Sequence, residues 1–249
     1  MSRSRKGKIS AVPALLFWTA VWWLAAVKFH NPLLLPGPWQ VVSCLWELAG
    51  TAAFWQTVLL SIGRILLGVV TAAVLGALLA VLTTASRLAE VLIAPAMTAM
   101  QATPVASFTI LVLIWLERDW VPVLICGMMV LPVVWNGVSN GIRTVDVQLL
   151  EMAKVYRLPR IRILKRIYLP SLLPFFRAAC TSALGLGWKA GIAAEVLTVP
   201  KISIGKMIAE SKSYLLTEEL FAWTLTVIVL SLLLQSIMLR LLKGRGQDA

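Results

Sequence analysis

Long apolar stretches alternate with short polar ones along almost the whole of the 249 residues. About 20 residues at a rise of about 1.5 Å cross a hydrocarbon layer. By that measure six stretches are expected to span a membrane as helices: 9–27, 58–83, 91–116, 120–139, 171–196 and 220–242. Two of the polar intervals carry structure of their own. After the first span, Pro36-Gly37-Pro38 reads as a turn, and Pro38 suits the first position of a helix. Trp39, Val42, Trp46 and Ala49 then recur at helical spacing, which predicts a short amphipathic helix lying in the outer interface. Between the fourth and fifth spans, residues 151–170 read EMAKVYRLPRIRILKRIYLP, a cation-rich helical segment interrupted at Leu158-Pro159 and closed by Leu169-Pro170. The pattern predicts an all-α polytopic membrane protein of about six transmembrane helices. It reads as a single transmembrane domain over 1–249, with the basic N-terminus, first span and interfacial helix in 1–57 and five core spans in 58–242.

Composition sharpens this picture. Hydrophobic residues make up 59% of the chain and charged ones 14%, with a mean hydropathy of +0.86, whereas soluble domains carry about 25% charged residues. The net charge of +12 would suit a nucleic-acid binder, but its placement does not. Fourteen Lys and Arg fall in 1–8, 84–90, 140–170 and 243–249, against five (Lys28, Arg118, Lys201, Lys206 and Lys212) in the opposite loops. That bias is the positive-inside pattern, and it places both termini in the cytoplasm. The N-terminal cations precede a long apolar stretch with no small-residue cleavage site after it, so a retained span is expected rather than a cleaved signal. Cys44, Cys126 and Cys180 are scattered, and the single His30 lies at an outer boundary; neither offers metal-ligand or disulfide spacing.

Within the spans, Gly63, Gly68 and Gly76 predict close approach of a neighbouring helix. Arg64 lies about 33 Å from the cytoplasmic end of its helix, where its head is expected to reach interfacial water. Pro95 and Gln101-Ala-Thr-Pro104 interrupt the third span, and Pro122 and Pro132 the fourth. Carbonyls freed by proline in lipid need protein or a water-lined cavity, so Gln101 and Pro104 are candidates for a pathway wall, alongside the plainer reading of packing kinks. In the fifth span, Trp188, Lys189 and Glu195 follow Gly185-Leu-Gly187. Ionisable residues inside a span either face an interior cavity or pair with each other near the interface, and both readings stand for Lys189 and Glu195. Gly187 and Gly191 have the spacing of helix packing. The sequence contains no phosphate-binding loop, no paired catalytic carboxylates and no nucleophile triad. An intramembrane enzyme would need such groups at one depth.

The segment after the fourth span carries the most chemistry. Thr144 or Asp146 can cap a helix there. Val145, Leu149, Met152 and Tyr156 then share one face, widened by Leu150 and Ala153, while Glu151 and Lys154 can pair on the flank. Pro159 disfavours helix at Leu158, so a second short helix is expected over 160–168, with Pro170 marking the return to the membrane. Glu151, Ala153, Ile167, Leu169 and Pro170 fall, with spacing intact, on a loop motif of the form E-A-A, three residues, G, nine residues, I-x-L-P. Met152 replaces the second residue of that motif and Arg157 its Gly, and Leu158-Pro159 is expected to supply the break instead.

This motif resembles that of the permease subunits of bacterial ABC importers of type I, most closely the nitrate/sulfonate/taurine branch. The stretches LLLPGPWQVV, PVASFTILVLIW (104–115) and AGIAAEVL (190–197) are similar to the same family, so the likeness covers about residues 33 to 240. The resemblance implies that 140–170 holds a coupling helix that docks in a cleft of an ATPase subunit. Leu149, Met152, Ala153 and Tyr156 would form the contact face, with Ala153 small enough for close docking, and Glu151 would give a fixed polar contact; Arg157 belongs to the same loop. It further implies a dimer of this chain or a homologous permease, two ABC ATPase subunits that bind ATP, and an external substrate-binding protein. No cofactor, metal, nucleic acid or catalytic residue is implied in this chain, and the setting is a bacterial inner membrane. An energy-coupling-factor subunit is the alternative that also uses cytoplasmic helices, but its arginine-centred motifs are absent here.

Overall fold

The computed structural model describes residues 11–29, 31 and 33–242. The N-terminal cations, the start of the first expected span, His30 and the residues after 242 lie outside the described residues. The helices are α1 (Ala11–Phe29), α2 (Pro38–Ala49), α3 (Ala52–Ala85), α4 (Arg87–Ala102), α5 (Val105–Val112), α6 (Val121–Arg143), α7 (Val147–Val155), α8 (Arg160–Ile163), α9 (Leu169–Thr198), α10 (Ile204–Ser213) and α11 (Thr217–Leu242). Among the described residues there is no strand. Four helical stretches are long and apolar enough to cross a membrane: Ala52–Ala85, Val121–Arg143, Arg160–Thr198 and Thr217–Arg240. A fifth crossing exists if the bent pair α4 and α5 is one span. The apolar part of α1, Pro13–Phe29, is shorter.

Three local outcomes differ from the expected pattern, each for a backbone reason. The third expected span is two helices at 104° to one another. Pro104 forces Thr103 into an extended conformation (ψ 125°), and α5 starts afresh behind it. The return to the membrane at Pro170 is continuous: α8 passes through a wide π turn, Leu164–Tyr168, directly into α9. Pro170 cannot donate to the preceding turn, and an i→i+5 turn just ahead of it takes up the mismatch. Finally, the loop after α9 contains α10, capped by Ser203, whose hydroxyl accepts from the Lys206 N–H at 3.0 Å.

The packed centre is formed by α3, α6 and α9, with Ile65, Val69, Ala72, Cys126, Val130, Val134, Ala183, Leu184 and Trp188 buried between them. Gly68 and Gly76 make the α3–α6 approach possible. A Cβ on Gly68 would lie 2.6 Å from the Val123 carbonyl oxygen, and one on Gly76 2.8 Å from that of Leu131. Gly63 faces open space, with nothing within 4 Å of such a Cβ, so it plays no part in this contact. Gly187 and Gly191 do pack, against Val130, Cys126 and Ile65. The Trp135 indole N–H donates to Thr83 Oγ1 at 2.9 Å, joining α6 to the C-terminal end of α3. Helix α11 is attached through the Trp188 indole N–H, which donates to the Val227 carbonyl at 3.2 Å, and through Trp223 stacked on Phe54.

These contacts set a matched pair of substitutions. Gly68→Val is expected to cost about 2 kcal/mol through overpacking, read as a lower melting temperature of the purified chain in detergent. Gly63→Ala is expected to leave that temperature unchanged or slightly higher. Equal sensitivity at the two positions would contradict the assigned helix contact.

Candidate functional site

Two polar or amphipathic regions stand out, at opposite ends of α9. At its start is the loop between α6 and α9. Asp146 caps α7, its carboxylate accepting from the Gln148 N–H at 2.8 Å, while the Thr144 hydroxyl turns back to the Asn140 carbonyl. The cap is therefore Asp146 of the two candidates. The loop has a small core of its own. Val145, Ala153 and Ile167 are buried together, with Leu150, Leu158, Ile163 and Tyr168 packed around them. This arrangement corrects the expected role of Ala153. It is 0% exposed and holds the two arms of the loop against each other, so it is not a docking surface.

The outward face of α7 is instead built from Val147, Leu149, Met152, Val155 and Tyr156, the last two 79% and 73% exposed. The expected single apolar face thus splits: Leu150 and Ala153 turn in, while Leu149, Met152 and Tyr156 turn out. Glu151 is exposed and makes no ion pair with Lys154 among the described residues. Ile167 belongs to the loop core, whereas Leu169 and Pro170 are exposed on the return helix. The corner after α7 is made by Arg157 itself, in the left-handed region at φ 48°. Its N–H donates to the Lys154 carbonyl and that of Leu158 to the Ala153 carbonyl at 2.9 Å. The expected break at Leu158-Pro159 therefore comes one residue later than the turn.

At the other end of α9, Glu195 is fully buried and is the hub of a polar cluster that sequence reading did not assemble. Its Oε2 accepts from Ser61 Oγ at 2.8 Å and from the Gly205 N–H at 3.1 Å, and its Oε1 from Arg64 Nη1 at 3.4 Å. Ser61 Oγ in turn accepts from the Ile204 N–H at 2.9 Å. The N-terminus of α10, whose free N–H groups and dipole favour an anion, is thus seated on this carboxylate. The seat is tight, because a Cβ on Gly205 would run into the Glu195 backbone. Arg64 also donates to Asp119 at 2.8 Å and to the Ile202 carbonyl at 2.8 Å. It is an ion-pairing residue that ties α3 to the α5–α6 connection, not a side chain merely reaching for interfacial water. An ionisable residue within each of two apolar spans was the signal that could have found the pair.

The five residues read as a possible pathway do not share one surface. Gln101, Pro104 and Lys189 are exposed, whereas Trp188 is a core residue and Glu195 is enclosed in its cluster, paired with Arg64 and not with Lys189. Beside Asp119 a cavity of about 620 Å³ opens, lined by Glu117, Arg118, Asp119, Pro200, Lys201 and Lys206 among others. Among the described residues no group of three His, Cys, Asp or Glu could hold a metal ion.

Glu195→Ala removes one partner of a buried pair and takes an acceptor away from Arg64, Ser61 and the Gly205 N–H. The expected loss is about 3 kcal/mol, measured as a fall in melting temperature. Ser61→Ala should cost less, about 1 kcal/mol. A Glu195→Ala protein as stable as the parent would rule out the hub assignment.

The description "binding-protein-dependent transport system inner membrane component" is that of a family whose model matches residues 72–245, from the middle of α3 through α11. Three relatives cover nearly the same ground. An aliphatic sulfonates transport permease protein of Bacillus subtilis is 26% identical over 87% of this chain and 78% of its own length. The taurine transport system permease protein of Escherichia coli is 25% identical over 94% of this chain and 86% of its own. The riboflavin transport system permease protein of Chloroflexus aurantiacus is 25% identical over 92% and 89% respectively. The matched region contains the α6–α9 loop, its small core and the Glu195 end of α9. The chain therefore belongs to the family of binding-protein-dependent transport system inner membrane components and is an ABC importer permease.

Proposed function

We propose that two copies of this chain enclose one translocation path, with N- and C-termini in the cytoplasm. Each copy docks one ABC ATPase subunit through the 140–170 loop. ATP is bound and hydrolysed by that separate subunit, and an external binding protein delivers a small solute of the sulfonate or taurine kind. The observation that carries this reading is the α7 face. Leu149, Met152, Val155 and Tyr156 are exposed on a loop that its own core of Val145, Ala153 and Ile167 holds rigid. An exposed apolar face on a preformed scaffold outside the spans needs a partner groove, and a short helix laid in a groove fits it. In alternating access, closure of the ATPase pair moves the loop as one body, since its inner core leaves it no freedom to yield.

On the pathway side, the exposed stripe of α9 carries Ala178, Ser182, Leu186, Lys189, Ala193 and Leu197, and Lys189 is its one cation. A lone exposed cation within a span attracts a small anion when it faces a water-filled path. That supports a sulfonate-like substrate, with Gln101 and Pro104 at the bend between α4 and α5 as further wall residues. At the far side, the cavity beside Asp119 and a second one of about 350 Å³ lined by Glu47, Glu218 and Glu219 among others offer charged recesses to a binding protein.

The test is purification of the tagged chain in mild detergent, followed by identification of the proteins that accompany it. A nucleotide-binding ATPase and a second copy of the chain are the expected companions; a chain that purifies alone under gentle conditions would count against the assignment. Met152→Glu, which touches the outward face and spares the loop core, should abolish ATPase activity coupled to delivery while the melting temperature stays within about 2 °C. Ala153→Glu should instead unfold the loop and lower that temperature. In reconstituted vesicles, Lys189→Met is expected to reduce taurine or alkanesulfonate uptake at least about tenfold, with basal ATP hydrolysis intact.

A further inference from the structure

A left-handed backbone conformation is freely open to glycine and carries a steric cost for any residue with a Cβ. Three described residues other than glycine adopt it: Arg157, Val199 and Leu215. Val199 is partly buried and lines a cavity of the chain itself, and Leu215 lines a second one though it is 71% exposed. Arg157 lines neither. Its side chain is exposed, and its guanidinium makes no hydrogen bond or ion pair with another described residue. Among the described residues, then, nothing offsets the presence of a large cation where glycine would make the same corner unstrained. A residue held in a costly conformation without internal compensation points to compensation from outside.

The surroundings say what kind. Arg157 directly follows the exposed apolar pair Val155 and Tyr156, and exposed Lys154, Arg160 and Arg162 flank it. With the fifth span entering at Ser171, as the sequence predicts, the corner stands clear of the bilayer. Arg160 begins the continuous helix, and Ser171 is about 16 Å further along it. The headgroup layer accounts for only about 6 Å on each side of the hydrocarbon core. A protein surface therefore fits the corner better than lipid.

We propose that Arg157 is a selectivity contact for the ATPase: its guanidinium pairs with a carboxylate on the rim of the groove that receives Leu149, Met152 and Tyr156. This rests on the docking role of the α7 face argued above. The permease that carries Arg157 matches ATPases with an acidic rim at that point, and it discriminates against those with a neutral or basic one, because a desolvated unpaired guanidinium is costly. The strain of the corner is offset on assembly and not before.

The prediction has two opposite signs, which a structural role cannot mimic. In the full permease, Arg157→Gly should raise the melting temperature by about 2 °C. The same change should weaken binding of the co-purifying ATPase subunit about tenfold or more, measured by biolayer interferometry in detergent. Arg157→Lys, which keeps both charge and strain, should retain most of the affinity, and Arg157→Glu should lose more than Arg157→Gly. Affinity unchanged within twofold in Arg157→Gly would overturn the proposal, as would a lowered melting temperature, which would make the arginine part of the loop's own fold. Loss of binding to nanodiscs of 3:1 phosphatidylcholine and phosphatidylglycerol with ATPase affinity intact would assign the residue to lipid instead. If the unaltered permease binds no ATPase while retaining its melting transition, the docking reading itself fails, an outcome distinct from all of these.

Discussion

A carboxylate with no exposed surface, deep in an apolar bundle, is tolerable only if it is paired and hydrogen-bonded. Glu195 meets that condition by drawing on three separate parts of the chain. Ser61 and Arg64 come from α3, the Gly205 amide from the start of α10, and the carboxylate itself from α9. Each partner is constrained in turn. Ser61 also receives the Ile204 amide, and Arg64 also reaches Asp119 and the Ile202 carbonyl. Few arrangements satisfy all these groups at once, and leaving one unsatisfied is more costly than exposing a methyl group to water. The cluster thus specifies where α10 and the α5–α6 connection sit relative to the α3–α6–α9 centre, which apolar packing alone would leave free to slide.

The opposite end of the bundle solves a different problem. The loop between α6 and α9 has no room for a large core. Val145, Ala153 and Ile167 supply a minimal one by pinning α7 against the return helix. Smallness at Ala153 serves the approach of the loop's own two arms. The same division explains why adjacent residues on α7 differ so sharply in exposure: one side of a nine-residue helix is consumed internally, and the other is left bare.

Much of this is legible in the chain. Span length, proline placement and the distribution of cations predict the helices and the interruption at Pro104, and the loop motif locates the segment after α6. What stays hidden depends on contacts distant in sequence. Ser61 and Glu195 are 134 positions apart, and no local pattern pairs them. The face of α7 is misread from its pattern because helical periodicity reports which residues align, not whether the stripe they form is wide enough to serve two neighbours. The corner at Arg157 falls one residue early for a related reason. Proline rules forbid helix at Leu158, but the six-to-one closure of the helix end dictates a left-handed residue just before it. The pathway itself belongs to two copies in the proposed assembly, and local pattern in one chain carries no record of the surface it meets.

The wide turn at Leu164–Tyr168 keeps α8 and α9 in one unbroken run from Arg160 to Thr198, 39 residues long. At the helical rise this is a rod of about 58 Å. It has the loop core at one end and Glu195 near the other. Such a rod behaves as a lever: a tilt of about 5° shifts its tip by about 5 Å, more than the reach of any hydrogen bond in the cluster there. A small rotation applied at the loop end would thereby be geared up into an ångström-scale choice between bonded and unbonded states at the Glu195 end.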